Sequence, residues 1–265
     1  MRNCTPEGPG VQRDTPCVTV YDALEMKAQK RFSHGLTFLA SFTGGKSIDD
    51  ASTTVSFLGS NSSKQDPWNI HLDRSISSQD ISRVLVGNAI YELPFGKGKR
   101  WLGSAPKALD FVLGGWQASG IYTYTTGQPL QIGNGGNSTG IGGTLRPNNN
   151  GQDAKLTGPV GNRINGYFNT ADFSQAPNYT FGTTSRTSPD LRGPSQHTLD
   201  TSFFKTFRFA EKAGVRLEAD MFNFANHPIW GGPNTTVTST GAAGFGTITS
   251  KSGNRTLQLA MRISF

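Results

Sequence analysis

Four histidines, two cysteines and one Ser/Asp cluster are the residues best equipped for chemistry, and their spacing limits what they can do. His34, His71, His197 and His227 stand apart, with no H-E-x-x-H pair and no Cys/His couple, so no metal-ligand set is expected. Ser47 lies beside Asp49 and Asp50, but the stretch lacks the nucleophile, base and orienting group of covalent catalysis. FGKGKR (95–100) mixes glycines with cations as phosphate loops do, yet has neither the Ser/Thr nor the G-x-x-x-x-G-K spacing. GNGGNSTGIGG (133–143) contains no G-x-G-x-x-G. Both read as turn or loop. Asn61, Asn137, Asn178 and Asn234 open N-x-S/T triplets, which are glycosylation acceptors only in a eukaryotic secretory chain and are otherwise polar loop composition. No catalytic, cofactor or metal residues are expected, and the chain is not expected to be an enzyme.

Cys4 and Cys17 fall in a Pro/Gly-rich loop segment, 1–17. They could close a loop by a disulfide in an oxidising compartment, or be two free thiols. The net charge of +7 invites a nucleic-acid partner, but the 25 Lys and Arg are scattered, with FGKGKR the one dense cluster. A basic footprint should form a patch or stripe, so no nucleic acid is expected. Apolar content is 34%, below the roughly 45–50% of ordinary globular domains, while Gly reaches 33 residues. Strands joined by many turns fit that composition. A conventional core does not. No apolar run approaches the ~18 residues of a membrane-spanning helix, and MRNCTPEGPG has no apolar leader stretch.

The elements that carry these residues read as strands, because apolar residues recur at every second position. In 18–32, Val18, Val20, Leu24, Met26 and Ala28 share one face, while Tyr21, Glu25, Lys27, Gln29 and Arg31 share the other. A tight turn at 33–35 leads to 36–43, and further strands are expected at 83–93, 115–126, 197–207, 215–224 and 255–265. Most run to about the 9–11 residues that a tilted strand needs to cross a bilayer, whereas soluble strands run to ~5–6. Short links (33–35, 208–214) and a moderate one (94–114) alternate with long polar ones (44–82, 127–196, 225–254), as periplasmic turns alternate with extracellular loops in transmembrane barrels. The charged parity would then face the lumen. A solvated face of a soluble sheet gives the same alternation.

RTLQLAMRISF ends the chain with Leu257, Leu259, Met261, Ile263 and Phe265 on one parity. It resembles the assembly signal of outer-membrane barrels, an apolar alternation closed by an aromatic residue that a partner strand can pair. Trp116, Tyr122 and Tyr124, with Phe203 and Phe207, suit the interfacial aromatic girdle.

Nine stretches in order carry a more specific resemblance: 21–50 (YDALEMKAQKRFSHGLTFLASFTGGKSIDD), QDPWN (65–69), YELPFGKGKR (91–100), GGWQASGIYTYTTGQPL (114–130), LRGPS (191–195), FKTFRF (204–209), RLEADMFNFANHPIWG (216–231), FGTITS (245–250) and the terminal RTLQLAMRISF. Together they resemble the C-terminal part of the Oar-like TonB-dependent receptors, outer-membrane proteins with a carboxypeptidase-regulatory-like domain. The resemblance implies an all-β, antiparallel up-and-down transmembrane β-barrel fragment, with about seven long strands forming an open curved sheet and long extracellular loops. The parent barrel would be plugged and have about 22 strands. The expected setting is the cell outer membrane. The implied partners are outer-membrane lipid, the barrel-assembly machinery, the missing N-terminal strands and plug, and an extracellular solute or polymer of unknown identity. Seven strands leave two open edges, so the expectation is a piece of a larger receptor, with Met1 not necessarily a true start and no transport by the piece alone. The alternative is a secreted soluble β-rich binding or adhesion module.

Overall fold

The computed structural model describes residues 18–50, 65–66, 69–135, 145–209, 213–238 and 244–265. The 1–17 segment with Cys4 and Cys17, and the sites Asn61 and Asn137, lie outside the described residues. Seven long strands form one sheet: β1 (Thr19–Ser33), β2 (Leu36–Asp49), β3 (Arg83–Glu92), β4 (Gln117–Thr125), β5 (Gln196–Arg208), β6 (Gly214–Phe222) and β7 (Thr256–Ser264). Each is antiparallel to the next in the chain, and β1 and β7 form the two edges of an open sheet. A two-residue strand, Ser75–Ile76, adds to the far end of β2.

The turn between β1 and β2 follows from two residues. His34 and Gly35 both have positive φ, 53° and 79°, as a two-residue hairpin turn of the type that matches strand twist requires. Ser33 Oγ and His34 Nδ1 lie 2.8 Å apart and reinforce it. His34 therefore has a turn-forming role.

The register aligns the apolar parities of the strands other than β3. Met26, Phe42, Leu85, Tyr124 and His197 form one row across the sheet, and Phe203, Ala219 and Leu259 form another. The opposite face carries Glu25, Lys27, Asp200, Ser202, Arg216, Glu218 and Asp220. A one-residue slip would exchange the two faces along a whole strand, so each pairing fixes the next. β3 departs from the pattern, with Val84, Val86 and Ile90 on the otherwise polar face.

β2 runs six residues beyond the expected end at Thr43. Gly44 and Gly45 stay in the ladder, opposite Leu24 and Ala23. A Cβ on Gly45 would come within 3.1 Å of the Tyr21 hydroxyl, so the glycine leaves room for a neighbouring ring and does not end the strand. The long link thus begins after Asp49, not at residue 44. The 94–114 link also holds an element that period-2 patterning does not reveal, helix α1 (Lys107–Leu113).

The described hydrophobic residues that are buried include none from the seven long strands. On β7, Leu259 is 75% exposed and Met261 66%. The core lies instead in the long links, where Leu130, Ile132, Tyr167, Phe168, Phe173, Leu191 and Ile248 cluster. Phe168, Phe173 and Phe245 meet there edge to face, with centroids 5.1–5.9 Å apart. Such a sheet needs an apolar solvent on one face. Leu259→Arg, near mid-strand on that face, is expected to cost about 2–4 kcal/mol, whereas Gln258→Arg on the opposite face costs little. Equilibrium urea unfolding of the lipid-reconstituted protein measures the difference.

Candidate functional site

The long links leave the same end of the sheet and pack into one layer. Two of them are joined by three arginine–aspartate pairs. Arg146 pairs with Asp73, Arg186 with Asp49 and Arg192 with Asp80. In each case the arginine comes from the link after β4, and the aspartate from the end of β2 or the link that follows it. Further bonds fix the same seam. Arg186 Nε donates to the Asp73 carbonyl at 2.8 Å, Arg146 Nη1 to the Leu72 carbonyl at 3.1 Å and Arg192 Nη1 to the Asp80 carbonyl at 3.1 Å. Asp80 also accepts from the Ser47 amide at 2.6 Å, and Gln65 Nε2 donates to the Gly182 carbonyl at 2.9 Å. Burial pulls the Arg146 guanidinium below its usual pKa, Arg186 adds to this, and Asp73 opposes it; an arginine starts so high that it keeps its charge.

This layer encloses a cleft of about 520 Å³. One wall is built by the antiparallel contact of Asn148–Asn149 with Phe173–Ser174. Asp172 ties the wall together, its carboxylate accepting from the Gln152 amide at 2.8 Å and from Asn149 Nδ2 at 3.0 Å. Across the cleft, Thr183 Oγ1 accepts from the Asn149 amide at 3.0 Å. Thr184 lines the same space, is nine-tenths buried, and its hydroxyl has no partner among the described residues. Asp153, Ser185, Ser188 and Asp190 add to the polar lining, and Phe173 and Ile132 to its apolar part. Among the described residues the lining contains no lysine or arginine. Such a surface, with three carboxylates in it, suits a ligand rich in hydroxyl or N–H donors and disfavours anions.

The residues singled out in the sequence take other places. Asp49 is in the buried seam, and both carboxylate oxygens of Asp50 accept from the Val18 amide at 3.1 Å. Ser47 engages through its backbone. FGKGKR folds as a turn, closed by the Trp101 amide donating to the Pro94 carbonyl at 3.0 Å, with the Phe95 and Trp101 ring centroids 5.1 Å apart. Gly133 of the glycine-rich run pairs with the 235–237 stretch, and residues 136–143 of that run lie outside the described residues. His197 and His227 are not isolated: the fold stacks their rings with centroids 3.5 Å apart. Among the described residues no three metal-ligating side chains converge. Tyr122 and Tyr124 share the apolar face with Phe203 and Phe207. Trp116 precedes β4 and donates from Nε1 to the Val112 carbonyl at 3.0 Å, at the opposite end from Tyr124. Nothing in the local sequence marks these three arginines. Their partners lie 73 to 137 residues away in the chain.

A family model described as an outer membrane beta barrel domain matches residues 11–258. The chain belongs to this family. The outer-membrane barrel reading accounts for the exposed apolar parity as a lipid-facing surface, and it sets aside the soluble secreted module. Long links are extracellular and short turns periplasmic in such barrels. Comparison with curated proteins and with solved structures finds no match.

The three pairs make the extracellular layer one unit. Asp73→Ala would leave Arg146 buried without its carboxylate, at a cost of about 3–5 kcal/mol. The layer should then open while the strands persist. Protease added outside intact cells is expected to cleave within 145–195 in the variant and to spare the wild type.

Proposed function

We propose that this protein supplies strands and ligand-facing loops to an Oar-like TonB-dependent receptor, which takes up a hydroxylated solute or polymer. The observation that carries this reading is the polar cleft, with no lysine or arginine among its described lining residues, held by arginine–aspartate pairs at the extracellular end of an outer-membrane barrel sheet. Nine motifs in family order support the receptor class. The two sheet edges suit further strands and a plug from the rest of the receptor, since unpaired backbone groups are not tolerated in hydrocarbon. The apolar alternation of Leu257, Leu259, Met261, Ile263 and Phe265 is the segment that the barrel-assembly machinery would pair. Trp116, Tyr122 and Tyr124 would sit at headgroup level.

Growth on a panel of carbon sources tests the reading. Deleting the gene should abolish growth on one hydroxylated substrate, and depleting the inner-membrane energy-coupling protein should abolish growth on the same one. Growth that depends on the gene but not on energy coupling would overturn the receptor class and leave the barrel intact. Phe265→Ala is expected to lower the assembled fraction, read as loss of the heat-modifiable folded band in outer-membrane preparations.

A further inference from the structure

We propose that a cleft at the periplasmic rim of the sheet binds the headgroup of an anionic phospholipid, with the acyl chains lying along α1. Helix α1 sits on the apolar face. Lys205, on the same parity as Phe203 and Phe207, donates to the carbonyls of Phe111 and Val112 at the end of that helix. The Phe111 ring lies 5.2 Å from that of Phe207. An ammonium directed at lipid is costly at the midplane and much less so near the interface. Here the last carbonyls of a helix receive it, and cations are favoured at that end.

The same helix leaves Leu109, Val112 and Leu113 exposed; Trp101 is exposed a few residues before it, and the exposed Phe209 ring lies 5.9 Å from that of Phe111. An apolar surface at a barrel rim meets the boundary between headgroups and acyl chains. The FGKGKR turn is fixed against it through Asp110, whose carboxylate accepts from the Lys97 amide. A Cβ on Gly96 would come within 2.6 Å of that carboxylate, so the glycine permits the close approach.

Between turn, helix and β5 lies a cleft of about 290 Å³ with Lys97, Lys99, Lys205, Arg208 and Asp110 in its wall. Lys99 pairs with Glu92 at 3.0 Å, Lys205 is engaged by the helix carbonyls and Asp110 by the turn. Lys97 and Arg208 have no carboxylate partner among the described residues. Two cations without a described carboxylate partner, beside an apolar collar, match a phosphodiester carrying acyl chains. A soluble anion would use only the cations.

Native mass spectrometry of the full chain, purified in detergent and titrated with phosphatidylglycerol or phosphatidylcholine, tests this. Wild type should retain phosphatidylglycerol preferentially. Lys97→Gln with Arg208→Gln should weaken that retention about thirtyfold, from two cations each worth roughly fivefold at a membrane surface. Lys97→Gln alone should weaken it about fivefold, which keeps the test open if the double variant fails to fold. Lys155→Gln, in the extracellular layer, should leave it unchanged. Equal retention of the two lipids, equal retention by wild type and the Lys97→Gln variant, or displacement by inorganic phosphate as effective as by phosphatidylglycerol would overturn the proposal.

Discussion

A peptide group inside a bilayer has no water to bond, so each N–H and C=O must find a partner in the protein or the segment cannot stay there. That requirement shapes the sheet. It demands strands of 9–15 residues where soluble sheets use shorter ones. It demands continuous pairing from β1 to β7, with the one irregularity between Lys30 and Ser33 placed beside a turn. Once pairing is continuous, side-chain parity becomes a property of the whole sheet. Met26, Phe42, Leu85 and Tyr124 face the same way because the ladder leaves them no alternative.

The same requirement explains why the core lies in the extracellular links. Side chains on the strands are divided between lipid and lumen, so little apolar surface is left to bury between sheets. The links are bathed in water and must order themselves by other means. Phe168 and its aromatic neighbours supply the apolar part. Arg146, Arg186 and Arg192 supply the polar part, each also bonded to backbone carbonyls of the opposing segment. Buried ion pairs add little net stability compared with well-packed apolar residues, but removing one partner is costly. Their effect here is to exclude other arrangements of the two links. A ligand surface built on such a layer is preorganised, and the entropy of ordering the links is lost before binding.

Much of the sheet was legible because alternation is local. Leu36, Phe38, Ala40 and Phe42 mark β2 without reference to anything else in the chain. At Gly44-Gly45 the alternation lapses and local sequence reads as a loop, since the Tyr21 hydroxyl that approaches Gly45 belongs to another strand. Trp116 alternates with the strand that follows it, yet that strand starts one residue later, at Gln117, and alternation alone does not set the boundary after two glycines. The extracellular layer was hardly legible at all. Asp73 pairs with an arginine 73 residues away and Asp49 with one 137 residues away, and no spacing rule connects them. The contact of His197 with His227 has the same cause, as it depends on how the link after β6 folds back over the start of β5.

The seam between the links after β2 and β4 also bears on how such a protein can diversify. A loop that stands alone can be exchanged between relatives one at a time. These two cannot, because each arginine on one side is matched to an aspartate on the other. A new 145–195 segment grafted without its 49–80 counterpart would leave three carboxylates buried without their cations. The unit of inheritance for binding specificity is therefore the pair of segments together, while the hairpin of β1 and β2 beneath them, closed by His34 and Gly35, can stay as it is.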